Sequence, residues 1–97
     1  MGKLDQAKML MKVKKMQKEL QKQVITVTAG DDAVTVEITG EQKIKRIHMD
    51  PERVDLEDIR QTEKYVEEAV KKAIAESQRV AAEKMQPMMG MLGDLGL

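Results

Sequence analysis

Apolar positions along residues 3–22 recur at helical spacing: Met9, Val13, Met16 and Leu20 follow one another at intervals of 4, 3 and 4. At 100° per residue they form one narrow stripe. The segment contains no Gly or Pro and consists mostly of Lys, Gln, Met, Leu and Ala, all strong helix formers. It predicts a helix whose stripe is a core seam. Lys8, Lys12, Lys15, Lys18 and Lys22 fall on roughly the opposite side, and Leu4, Ala7 and Met11 sit among them. The first half of the helix is therefore apolar on two sides. The second row predicts a dimer or interhelix contact, or apolar positions resting under lysine stems.

The period then changes to 2. "VITVT" (24–28) is almost wholly β-branched, "AVTVEIT" (33–39) alternates Val34, Val36 and Ile38 with Thr35, Glu37 and Thr39, and "KIKRIHM" (43–49) is a third, less regular run. The links "AGDD" and "GEQ" each offer a Gly for positive φ. Three short strands with tight links predict an antiparallel meander, apolar on one face and covered there by helices. Asp50 before Pro51 signals a helix start and predicts a short helical turn, with Asp55 or Asp58 capping the next helix. Residues 59–85 predict one long helix, with Ile59, Val66, Ala73 and Val80 repeating every seven residues. It would be about 40 Å long, against a radius of gyration of about 13 Å for a compact chain of this size. Such a helix projects beyond its own sheet or packs on a second copy. The fold class is α+β, in a single domain over residues 1–86. Residues 87–97, opening on Pro87 and rich in Gly and Met, form a tail without helical or strand period that is expected to be flexible.

Composition narrows the chemistry. Tyr65 is the one aromatic residue and there are nine Met, so the core is aliphatic with flexible filler. With no Cys, disulfides and thiolate metal sites are excluded. No run is long and apolar enough to span a bilayer, and no signal-peptide pattern opens the chain, so the expected compartment is the cytoplasm. His48 is the sole histidine and Ser77 the sole serine. Ser77 falls on the apolar stripe of the long helix, a place for a small contact residue and not for a nucleophile. No enzymatic activity, cofactor, metal or small-molecule substrate is expected.

The net charge of zero hides an asymmetry: residues 1–23 carry +5, residues 24–49 carry −1 and residues 50–97 carry −4. A basic arm on an acidic remainder points to a polyanion, or to pairing between a basic and an acidic helix. Thirteen of the seventeen basic residues are Lys, which contacts phosphate well but reads guanine poorly. A single aromatic cannot build the stacking platforms of single-strand binders. Together these features favour duplex DNA held through its backbone. The rival reading is a protein-interaction adaptor in DNA metabolism with incidental DNA affinity.

The order and spacing of these pieces carry a resemblance. A Lys/Gln/Met-rich helix leads into "VTAGDDAVTVEITGEQKIKRIHMDPE", a long helix holds "VEEAVKKAIAESQRVAAEKM", and a Gly/Met tail follows. The chain resembles the YbaB/EbfC family of bacterial nucleoid-associated proteins over about residues 4–93. The resemblance implies a homodimer with protruding helices that binds double-stranded DNA at those helices, located in the nucleoid, with roles in nucleoid organisation and gene regulation. Placed on this chain, the binding residues it implies are Lys8, Lys12, Lys15, Lys18 and Lys22 of the first helix and Arg79 and Lys84 near the end of the last. Glu76 and Glu83 would stand close to any phosphate approaching Arg79 and Lys84.

Overall fold

The structure, a computed structural model, describes residues 2–94, with the side chains of 88 and 91–94 left aside. Helix α1 spans Lys3–Lys22, strands β1, β2 and β3 span Val24–Ala29, Val34–Thr39 and Ile44–Met49, and helix α2 spans Ile59–Asp94. Helix α1 and the meander lie where the sequence predicts them, and the long second helix begins where predicted. The strands form one antiparallel sheet in the order β1-β2-β3.

Helix α1 opens after Gly2 without a side-chain cap, and Asp5 in its first turn complements the helix dipole. It ends where the β-branched run begins: the Gln23 N–H donates to Glu19 O, and Val24 enters β1. The β1–β2 link places Gly30, Asp31 and Asp32 in succession in the left-handed region, with φ of 66°, 56° and 67°. Gly has no Cβ to oppose this, and Asp tolerates it better than most residues. The β2–β3 link departs from expectation. Gln42, not Gly40, takes the positive φ, of 67°. Gly40 is required for a close approach instead: a Cβ there would lie 2.7 Å from Leu20 Cδ2 and 3.0 Å from Leu20 O. Its N–H donates to Leu20 O at 2.9 Å, tying the end of α1 to this turn.

Helix α2 lies across β1 and β2. Val34, Val36 and Ile38 on β2 are fully buried, and Ala69, Ala73 and Ser77 meet them from α2 without bulk to hold the layers apart. Ser77 Oγ, wholly buried, donates to Thr39 O at 2.7 Å, so its hydroxyl is satisfied as a helix–strand contact. β3 is exposed at all six positions. Met49 pairs with Val34 and Ile47 with Val36, so both stand on the α2 side of the sheet, yet both stay exposed. The pairing then passes from Glu37–Arg46 to Ile38–Ile44, skipping Lys45 in a bulge.

Residues 50–58 hold the expected short helical turn, closed by the Val54 N–H donating to Asp50 O at 2.9 Å, and a second turn in which the Asp58 N–H donates to Asp55 O at 3.1 Å. Asp50 Oδ1 accepts from the Glu52 N–H and Asp55 Oδ1 from the Glu57 N–H. These short Asp bonds satisfy N–H groups at the start of each turn. Asp58 caps α2, accepting from the Gln61 N–H at 3.1 Å.

The second difference lies at the far end. The sequence predicts that α2 ends near residue 85 and that an aperiodic tail begins at Pro87; the helix instead continues through Pro87 to Asp94. Proline removes one N–H from the ladder, while the Met and Leu around it favour the helix. Leu95, Gly96 and Leu97, the last residues of the expected tail, lie outside the described residues.

At about 1.5 Å per residue α2 is roughly 54 Å long. The molecule measures 64 × 20 × 15 Å, with a radius of gyration of 18.5 Å. Met9, Val13 and Met16 are half-buried and Leu20 is buried, as expected of the core stripe. Lys84 Nζ meets Glu19 Oε2 at 3.1 Å, and Lys12 and Met16 share a groove with Lys84 and Pro87. Residues further back along α1 meet residues further on along α2, so the helices run antiparallel as a two-helix arm beyond the sheet.

Candidate nucleic-acid interface

The arm decides where the basic residues stand. With the Met9–Leu20 stripe turned to α2, the opposite side of α1 faces outward and carries Lys8, Lys15, Lys18 and Lys22, all exposed. Among the described residues none of these four takes part in an ion pair. Lys14, also exposed, borders the same face on its other side. The sequence pattern does not single it out, although the 100° helical rotation alone places it there. Lys12 stands apart from the outer face. It lines the groove of about 340 Å³ between the helices, with Lys15, Glu19 and Lys84.

The two basic residues expected on α2 are held differently. Arg79 lies between Glu76 and Glu83, with its Nε donating to Glu76 Oε1 at 3.0 Å and one terminal nitrogen bonded to each carboxylate. The hydrogen bond from Arg79 holds the Glu76 carboxyl below its usual pKa, and the same bond raises that of Arg79. Lys84 is paired across the arm with Glu19. Arg79 and Lys84 are five residues apart, so they leave α2 on sides about 140° from each other. The structure thus groups four of the expected lysines on one open face, brings Lys12 and Lys84 into the interhelical groove, and sets Arg79 apart in an acidic clasp. Glu76 and Glu83 pair with the Arg79 guanidinium itself and not with Lys84.

Leu4 and Met11 are 76% and 70% exposed, pointing away from α2 in the midst of the outer lysines. Ala7 is exposed between them. The row therefore makes no seam within the chain.

A second surface lies at the other end of the molecule. Ile44, Ile47 and Met49 on uncovered β3 continue into a groove of about 690 Å³, where Met49, Pro51, Leu56, Ile59 and Val66 supply apolar walls. On the opposite sheet face, Thr35, Glu37, Arg46 and His48 line a shallow polar depression of about 160 Å³. Among the described residues no three His, Cys, Asp or Glu side chains gather as a metal site, and no helix is long and apolar enough to cross a membrane.

The comparisons agree with the elongated α-β-β-β-α fold of the chain. The YbaB/EbfC DNA-binding family model matches residues 1–92, and the chain belongs to that family. It is 34% identical over 83 residues to a nucleoid-associated protein of Chloroflexus aurantiacus, covering 86% of this chain and 83% of that one. It is 32% identical over 88 residues to a nucleoid-associated protein of Ruminiclostridium cellulolyticum, covering 91% and 76%. The fold is shared with the crystal structure of uncharacterized protein HP0035 from Helicobacter pylori at a TM-score of 0.77 and 16% identity, covering 86% of this chain and 87% of that one.

Proposed function

We propose that this protein is a bacterial nucleoid-associated protein that binds duplex DNA as a homodimer, mainly through phosphate contacts from α1. The observation that carries the reading is the outer face of α1, where Lys8, Lys15, Lys18 and Lys22 stand exposed and outside any ion pair among the described residues. Lysines so placed meet phosphate as point charges, which gives affinity with weak sequence preference. Lys12 joins from the groove. Arg79 and Lys84 reach phosphate by exchanging it for Glu76 and Glu83, or for Glu19, and so contribute less than their charge implies. No catalytic step is assigned. The role is organisation of the nucleoid, with effects on gene regulation through DNA occupancy, and the names of the relatives support that location.

The salt dependence of binding tests this. A labelled random-sequence duplex titrated at several salt concentrations should bind with micromolar or weaker affinity at moderate salt, falling with a log–log slope of about −0.9 per phosphate contact. A single-stranded control should bind more weakly. Binding indifferent to salt would sink the phosphate reading and favour the adaptor.

The homodimer is assigned to the uncovered side of β3. Its Ile44, Ile47 and Met49 run into the apolar groove beside Leu56, which is 75% exposed. A continuous patch of this kind marks an association surface. An Ile47→Glu variant should sediment as a monomer where the wild type sediments as a dimer. A dimeric variant would move the interface elsewhere.

A further inference from the structure

The outer face of α1 is not uniformly basic. In the first half of the helix Leu4, Ala7 and Met11 follow its midline, which Lys18 and Lys22 continue further on, with Lys8 and Lys15 along one border and Lys14 along the other. Leu4 and Met11 are among the most exposed large apolar side chains described, at 76% and 70%. Phosphate binding needs only the lysines and leaves this row without a purpose. The chain's own core has no use for it, since it points away from α2. Nor does a second copy suit it: apposing two such faces would bring two sets of lysines together, at an electrostatic cost that opposes the small apolar gain.

A duplex suits both parts of the face. The major groove, about 12 Å wide, admits an α-helix, whereas the minor groove, about 6 Å wide, does not. A helix seated there turns its lysine borders to the phosphates on the two sides and its midline to the base edges. The one apolar group on those edges is the thymine C5 methyl. From Leu4 to Met11 the row spans about 10 Å, or roughly three base-pair steps.

We infer that the Leu4–Ala7–Met11 row seats α1 in the major groove and packs on thymine methyl groups, adding a preference for thymine-bearing steps that lysines alone cannot supply. This rests on duplex DNA being the ligand of α1.

The test uses the full chain with two duplexes of one A·T-rich sequence, one built with deoxythymidine and one with deoxyuridine, which lacks only the methyl. The wild type should bind the deoxyuridine duplex roughly four-fold more weakly for each methyl group on which the row packs, with an unchanged salt slope. A variant carrying Leu4→Gln and Met11→Gln should bind the two duplexes equally, also with the wild-type slope. Equal binding of both duplexes by the wild type, with steep salt dependence, would overturn the inference and leave the phosphate reading intact. Discrimination that persists in the double variant would overturn it as well. So would a double variant whose only change is weaker self-association without DNA, because the row would then be a contact between copies. Absence of salt-dependent duplex binding would remove the functional reading itself.

Discussion

Gly30→Ala should cost about 3 kcal/mol of stability, a large share of the 5–15 kcal/mol of a small domain. Two costs add. The residue sits at φ 66°, where a Cβ is strained by about 1 kcal/mol. The new Cβ would also stand 2.4 Å from both Cγ and Cδ2 of Tyr65 and 2.8 Å from Cδ1. Real carbons do not approach so closely, so the ring or the turn must move. Tyr65 is half-buried and packs against the core formed by Val34, Val36, Ala69 and Ala73, which limits the ring's retreat. Overpacking of this kind costs about 1–3 kcal/mol. Urea denaturation at fixed protein concentration measures it, since association shifts apparent stability. Gly90→Ala is the control: among the described residues no atom beyond its own stretch of helix lies within 4 Å of a Cβ there, and an alanine inside a helix gains up to about 1 kcal/mol. A loss below about 1 kcal/mol for Gly30→Ala would show that the turn relaxes freely. Combining it with Tyr65→Ala should recover the steric part and leave the strain.

The largest functional effect is expected from reversing charge on the outer face of α1. Lys8→Glu, Lys15→Glu and Lys18→Glu together turn the +5 of residues 1–23 into −1. Removing three phosphate partners reduces the magnitude of the salt slope by about 2.7 for each copy of α1 on the duplex. The new carboxylates repel the duplex further, so binding should weaken at least about a hundred-fold at low salt. The fold should survive, because all three side chains are exposed and Glu sustains a helix about as well as Lys. Fluorescence anisotropy reads the binding, and circular dichroism with sedimentation reads the fold and the association state. Near-normal binding by a folded triple variant would place the grip elsewhere, first on Lys43, Lys45 and Arg46 around β3. Lys12 is left out of this variant because it stands off the outer face, on the α2 side of α1, whereas Lys15 borders the same groove from the outer face.

How far the sequence could be read follows from the range of each signal. The Met9–Leu20 stripe, the alternation in "AVTVEIT" and the Asp58 cap are local, and all three appear as expected. The small residues Ala73 and Ser77 were legible as a helix contact because both stand on the apolar face of α2. The lysine face was legible for the same reason. Arg79 was not, because charge alone does not tell whether Glu76 and Glu83 crowd a ligand or hold the guanidinium themselves; the rotamers of all three side chains decide that. The end of α2 was misjudged from Pro87, because proline's local penalty was weighed without the helix on either side of it.

Periodicity and propensity by themselves determined the element types, their order, the α+β class and the sidedness of each helix, since every one of these depends on residues within a few positions of one another. Only the tertiary structure decided that α2 covers β1 and β2 while leaving β3 bare, that Gly40 must admit Leu20, and that Lys84 turns to Glu19 while Lys8 and Lys18 turn to solvent. Those outcomes depend on where a helix axis crosses a sheet and on which side chains then compete for one space. Such distances join residues far apart in the chain, and no local pattern encodes them.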